Sequence, residues 1–200
     1  MTALAQAVGA RTTRAHSLIW DIVLVVSGTA FVALLAQISI PLEPFSPVPI
    51  TGQTLGVLVV GGALGAIRGG SSLILYLALG SLGAPIYAGG DSGSFTTLPT
   101  GGFLIGFIAA AVVVGYLAEK GWDRSFKSSL GAMLIGEIVV FAIGVPWLAA
   151  NLDISATKAM EIGLYPFVIG DVIKLLLAAG LLPTAWKLVG KKPDGPSFKR

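Results

Sequence analysis

Residues 18–38 read LIWDIVLVVSGTAFVALLAQI, a nearly unbroken apolar run. A membrane-spanning helix needs about 20 mostly apolar residues, with a range of about 17–25. The run meets that length. Arg11 and Arg14 precede it, as basic residues precede the core of a signal peptide. It is too long for such a core, and no A-x-A cleavage site follows it. The reading is therefore a first membrane helix.

Working outward, residues 101–117, 129–149 and 165–189 form runs of similar character. Two shorter runs, 51–67 and 71–82, lie between the first and second long ones, and Gly69 and Gly70 separate them. These are expected to be two helices joined by a tight turn. The expected fold class is all-α, a polytopic membrane protein built as a bundle of six transmembrane helices. An even number puts both termini on one side. Residues 1–17 are expected to form a tail, 18–189 the membrane domain, and 190–200 a basic tail.

Composition agrees. The chain is 54% apolar and 12% charged, with a mean hydropathy of +0.87. An ordinary soluble domain carries about 25% charged residues, so half that charge cannot coat a soluble surface. Lys and Arg outnumber Asp and Glu, 13 to 10, but the basic residues sit at the ends of apolar runs, which argues against nucleic acid. There is no cysteine, which excludes disulfides, thiolate metal sites and cysteine nucleophiles. The lone histidine, His16, lies in the polar N-terminal tail and reads as a solvated residue.

The loops set the orientation. Arg11 and Arg14, Arg68, the group Lys120, Arg124 and Lys127, and the C-terminal Lys187, Lys191, Lys192, Lys199 and Arg200 all fall on one face of a six-helix arrangement. The opposite loops, 38–53 and 83–100, have no Lys or Arg, and 150–164 has Lys158 alone. By the positive-inside rule both termini are cytoplasmic. Trp20, Trp122, Trp147 and Trp186 lie near helix ends, as interfacial anchors do.

Both outer loops are distinctive. IPLEPFSPVPITGQT carries prolines at 41, 44, 47 and 49, which stiffen it into an extended segment. GAPIYAGGDSGSFTTLPTGG is glycine-rich, permitting tight turns and close backbone approach. Their length suggests a lid or binding loops rather than plain connectors. Small residues recur four apart, as at Gly61 and Gly65, Gly62 and Ala66, Gly102 and Gly106, and Ala132 and Gly136. That spacing serves either internal helix packing or a docking face for another subunit.

Glu137, Asp171 and Lys174 are ionisable residues inside apolar helices, each costing a few kcal/mol near the bilayer centre. Asp171 and Lys174 are three apart and share a helix face. At 1.5 Å per residue from the outer end near Tyr165, they lie about 9 Å and about 13 Å deep. Gln53 and Asp91 belong to the same side, so the polar groups converge on an outward pocket. Glu137, about 12 Å from the other end, is expected to be hydrogen-bonded internally. There is no G-x-x-x-x-G-K-[ST], H-E-x-x-H or G-x-S-x-G, so the chain is read as neither an ATPase nor an enzyme. Active transport would draw on an ion gradient or another subunit.

The stretches PVPITGQTLGVLVVGGALG, GAPIYAGG, LPTGGFLIGF and PFVIGDVIK resemble the BioY-type S components of energy-coupling factor (ECF) transporters, biotin-binding subunits of bacterial membranes. The resemblance runs in order from about Leu18 to Leu188. It implies a six-helix bundle in the bacterial inner (plasma) membrane, biotin as the transported ligand, and no cofactor or metal. It implies a transmembrane coupling subunit and two ATPase subunits as partners, and a loop between the first two helices that closes over the ligand. It carries Gln53, Asp171 and Lys174 over as binding residues, with Gly89, Gly90 and Asp91 as the glycine-rich loop and Tyr87 and Gly102 as neighbours. The family's A-x-x-x-A pattern for coupling-subunit contact is replaced on the first helix by Ala30, Ala33 and Ala36. Asp171 could accept from the ureido N–H groups, Gln53 could donate and accept, and Lys174 could pair with the carboxylate or with Asp171. Phe45, Val48 and Tyr165 are expected to cover the ring and tail. The alternatives are a stand-alone secondary transporter or facilitator for a small anionic solute, and a purely structural membrane subunit.

Overall fold

A computed structural model describes residues 3–5 and 14–189, with side chains from Leu18 onward in the main segment. His16's side chain and the basic tail at 190–200 lie outside the described residues, as does most of the tail at 1–17. The helices are α1 (Arg14–Ala36), α2 (Gln53–Leu64), α3 (Ala66–Ser81), α4 (Gly101–Glu119), α5 (Phe126–Leu152), a short α6 (Ala156–Gly163) and α7 (Val168–Val189). Two 2-residue strands, β1 (Ser39–Ile40) and β2 (Ile50–Thr51), pair antiparallel between α1 and α2. Four helical segments are long and apolar enough to cross a membrane: Leu18–Ala36, Gly101–Glu119, Phe126–Leu152 and the broken segment Ala156–Val189.

The apolar surface is inverted relative to a soluble bundle. Leu18, Ile22, Val26 and Leu34 of α1 and Ile169, Ile173, Leu177 and Leu188 of α7 are exposed, as lipid-facing side chains are in a bundle whose solvent is hydrocarbon. Small residues fill the inside. A Cβ on Gly61 would meet the Ala111 backbone oxygen at 2.7 Å, one on Gly106 the Val140 backbone, and one on Gly136 the Val114 and Leu58 side chains. The four-residue spacing of small residues therefore serves internal contact. It lets α2 and α5 close on α4, which also packs against α3.

The turn between α2 and α3 falls at Gly65, not at Gly69 and Gly70. Gly65 takes φ 85°, a left-handed backbone that glycine adopts without a Cβ penalty. Its N–H bonds to Gly61 O at 3.0 Å. Gly69 and Gly70 lie inside α3, where Gly69 faces the backbone of Gly61. Glu119 at the end of α4 accepts from the first N–H of α3, Ala66, at 3.0 Å. A carboxylate there satisfies an orphan donor and suits the positive end of the helix dipole.

Ion pairs collect this end of the molecule. Asp21 of α1 pairs with Arg68 of α3 at 2.6 Å. In the turn between α4 and α5, buried Asp123 accepts from the indole N–H of Trp186 on α7 at 2.5 Å and from Arg124 at 3.1 Å. The Arg124 guanidinium lies 3.6 Å from the Trp186 ring centre, a cation–π contact. The start of α1, the α2–α3 turn, the α4–α5 turn and the last turns of α7 thus share one end. The β-hairpin, the 83–100 loop and α6 share the other.

Two expectations about stability follow. Gly61→Ala sets a Cβ against immobile backbone and should cost about 1–3 kcal/mol. Gly180→Ala meets nothing within 4 Å and should be neutral or stabilising by up to about 1 kcal/mol. Thermal melting of the two purified variants checks the contrast. Burial pushes the Asp123 carboxyl up, against the opposing pulls of Trp186 and Arg124. The folded state then holds that proton more tightly than the unfolded chain, so its stabilising effect is full below the ordinary carboxylate range and is lost as pH rises. Asp123→Asn keeps an acceptor for the indole and removes the titration. The melting midpoint of the parent relative to this variant should fall from acid to neutral pH, and a constant difference would contradict the assignment.

Candidate functional site

At the hairpin end lies a cavity of about 530 Å³, within the about 300–1,000 Å³ typical of small-molecule sites. The hairpin supplies its roof through Leu42, Ser46 and Val48, with Pro47 and Pro49 beside them. Tyr87, Gly89, Asp91 and Thr100 of the glycine-rich loop form one wall. Phe103 and Phe107 of α4, Phe141 of α5 and Phe167 form an aromatic floor. Gln53 and Thr54 at the start of α2, with Asp171 and Lys174 of α7, form its polar side.

The roof is tied down at three points. Gly52 N–H bonds to Ile38 O at 3.0 Å, closing the base of the hairpin. The Ser46 hydroxyl donates to Ile162 O of α6 at 2.7 Å and accepts from Val48 N–H at 3.0 Å. Lys174 Nζ donates to Thr51 O at 3.0 Å. The Pro-rich segment is not the single extended stretch expected: it reverses in a turn where the Phe45 and Ser46 N–H groups bond to Leu42 O, and the short strands on either side of it pair.

The polar side is a connected set. Lys174 Nζ sits 2.5 Å from Asp171 Oδ1, and both residues are largely buried. Thr54 also donates to Asp171 Oδ1, at 3.4 Å. Asp171 Oδ2 is buried without a partner. Gln53 is held by its own side-chain chain: Oε1 accepts from Thr51 Oγ1 at 2.8 Å, and Nε2 donates to Tyr76 Oη at 2.8 Å. The Tyr76 hydroxyl in turn donates to Ile86 O at 2.9 Å. This fixes which way the Gln53 amide points and leaves it one N–H for a guest. Lys174 is the one cation among the described residues lining the cavity, and Glu43, Asp91 and Asp171 are the acids.

Five of the seven site residues expected from sequence line this cavity: Gln53, Tyr87, Asp91, Asp171 and Lys174. Asp91 is at the exposed rim, where its side chain accepts from Ser92 N–H at 2.8 Å. Tyr87 is buried, and its hydroxyl donates to Leu77 O at 2.7 Å. Burial pushes that phenol up, so it remains a hydrogen-bond donor at neutral pH. Gly102 is not in the lining. A Cβ there would strike Trp147, whose indole donates to Leu98 O at 3.1 Å. Gly102 thus shapes the wall through packing. Tyr165 is 56% exposed, and Phe45 is 83% exposed. Neither lines the cavity, although Val48 does.

Sequence reading missed Thr54, Tyr76 and the aromatic floor. Phe103 and Phe107 stand four apart on one helix face, a signal that was available. Tyr76 gave none, because its role depends on meeting Gln53 from another helix. Glu137, expected to be hydrogen-bonded internally, is buried but leaves Oε1 without a partner.

A bundle with lipid-type outer surfaces, closed at one end over a polar and aromatic cavity, defines a helical membrane protein that holds a small solute. The chain belongs to the BioY family, whose model matches residues 6–191. It is 41% identical over 143 residues to the Biotin transporter BioY of Rhizobium etli, covering 68% of this chain and 76% of that one. It is 39% identical over 152 residues to the Biotin transporter BioY of Thermotoga maritima, covering 76% and 86%. A crystal structure of the S component for biotin from an ECF-type ABC transporter superposes with TM-score 0.78 at 28% identity, over 88% of this chain and 95% of that one.

Tyr76→Phe should leave the Gln53 amide and the Ile86 carbonyl without their shared partner. A buried polar group left unpaired costs about 1–3 kcal/mol, read as a lowered thermal midpoint. Tyr116→Phe, an exposed tyrosine on α4, should show no change.

Proposed function

We propose that this chain is the biotin-binding S component of an ECF-type importer, capturing biotin from the outer side of the bacterial plasma membrane. The observation that carries the reading is the Asp171–Lys174 pair at 2.5 Å, set in an aromatic cavity under a tied-down hairpin, in a chain of the BioY family. Six transmembrane helices, α1 to α5 and α7, span the bilayer, and α6 lies with the outer loops. Both termini are cytoplasmic. The gathering of Arg68, Arg124 and the end of α7 at the end opposite the cavity supports that orientation, because it aligns the basic loops with the positive-inside rule. Delivery inward is driven by a transmembrane coupling subunit and two ATPase subunits, since the chain carries no phosphate-binding motif of its own.

Biotin presents a ureido ring with two N–H donors and a carbonyl, an apolar ring, and a carboxylate tail. Asp171 accepts from the ureido N–H groups, and the remaining Gln53 N–H meets the carbonyl. Phe103, Phe107 and Phe167 cover the apolar ring. Lys174 pairs with Asp171 and lends a positive charge to the tail. Hydrogen bonds to ionised groups in a dry site are about twice as strong as neutral ones, which favours Asp171 as the principal anchor. Gly89 at φ 66° and Gly90 at φ 89° hold a tight turn beside the opening that a side chain would strain.

The test is calorimetry on the purified chain. Biotin should bind, and Asp171→Asn and Lys174→Ala should each weaken it at least about tenfold, about 1.4 kcal/mol. A melting curve for each variant separates lost affinity from lost folding, since unpairing a buried ion pair can cost about 3–5 kcal/mol. Unchanged affinity in both folded variants would defeat the site assignment.

A further inference from the structure

Glu137 has no part in the site described so far, although it stands behind it. It lies on α5 at the floor of a second cavity of about 540 Å³, a groove open to the flank of the bundle between α5 and α7. The groove is walled by Leu134, Ile138, Val172 and Leu175, apolar side chains that leave the carboxylate little to exchange its hydration for. Glu137 is 7% exposed, and its Oε1 has no hydrogen-bond partner. Asp171 lines this groove and the ligand cavity alike, so it forms part of the wall between them.

The charges do not balance. On α7 the charged groups on this side are Asp171, which lines the groove with Glu137, and its partner Lys174. Helix α2 carries no ionisable residue, and the charged residues of α4 and α6 lie elsewhere: Glu119 caps α3, and Lys158 pairs with Glu161. Lys174 is already committed to Asp171 at 2.5 Å and to Thr51 O at 3.0 Å. One ammonium therefore serves two buried carboxyl groups. Two carboxyls that share a site resolve this by holding one proton between them. Asp171 already has Lys174 as its partner, which leaves the proton to Glu137.

The same proton answers a second defect. Two carboxyl oxygens in this region are buried and unpartnered, Glu137 Oε1 and Asp171 Oδ2. They belong to residues that line the same groove. We propose that Glu137 binds a proton and donates it as a hydrogen bond to Asp171, making it the positioning residue that fixes the ligand-facing carboxylate from behind. The triad is then neutral, with one acid, one carboxylate and one ammonium, and the free oxygens are joined. The lone pairs that Asp171 turns to the cavity are held in place by Lys174 and Thr54 in front and by Glu137 behind.

The protonation does not depend on the biotin reading, whereas the positioning role rests on it. The experiment separates them. Infrared spectra of the detergent-solubilised full chain at neutral pH should show a carboxylic-acid C=O stretch that is missing in Glu137→Gln. An identical carboxylic band in parent and variant would overturn the proton site. Gln keeps an N–H for Asp171, and Ala does not. Biotin should bind Glu137→Gln at least about tenfold more tightly than Glu137→Ala. If the Ala variant does not melt cooperatively, Glu137→Met fills the same volume without a donor and replaces it. Equal affinities in donor and donor-free variants would overturn the positioning role. A parent chain that shows the band and binds no biotin would defeat the functional reading and leave the proton site standing.

Discussion

Lys174 brings one positive charge to a place where several acceptors converge. Its ammonium holds Asp171 on its own helix and the Thr51 carbonyl at the base of the hairpin. That single group joins the last long helix, the start of α2 and the roof of the cavity. A lysine inside an apolar helix is tolerated only when such partners neutralise it. Its partners are the elements that enclose the cavity, so satisfying the charge and assembling the site are one event. Gln53 repeats the principle without charge, spanning Thr51, Tyr76 and through it Ile86.

The cavity can exist only because the rest of the bundle is closely packed. In hydrocarbon there is no hydrophobic force between helices, so close contact must come from small residues and interhelical hydrogen bonds. Gly61, Gly106 and Gly136 bring α2 and α5 onto α4, and Thr29 bonds across to Ser72 O at 2.8 Å. The end away from the cavity is fastened by Asp21–Arg68, Glu119–Ala66 and the Asp123–Trp186–Arg124 group.

Much of this was legible in the sequence, and the failures have physical causes. Apolar run length gives the helices, because in lipid the backbone must satisfy itself and few other forms are allowed. Buried charge gives Asp171 and Lys174, because an ion inside an apolar helix is costly and stands out from its surroundings. The α2–α3 turn was misplaced because Gly69 and Gly70 look like a breaker, whereas Gly65 takes the positive φ and the pair serves contact with Gly61. The β-hairpin and α6 were missed because a two-strand ladder and an eight-residue helix are set by tertiary bonds, such as Ser46 to Ile162 O. Of the apolar residues expected to cover the ligand, Tyr165 and Phe45 are exposed and Val48 lines the cavity. The partners of Gln53 and Asp123 come from distant helices, beyond the reach of local pattern.

The absence of cysteine in the chain offers a direct test of a cavity that faces outward and holds biotin. Ser39 lines the cavity at the first strand of the hairpin, and Ser39→Cys introduces a single thiol with little change in size. A membrane-impermeant maleimide applied to intact cells carrying this variant should label the thiol, and biotin in the medium should protect it. Labelling only in inside-out vesicles, or labelling that biotin does not slow, would contradict the account.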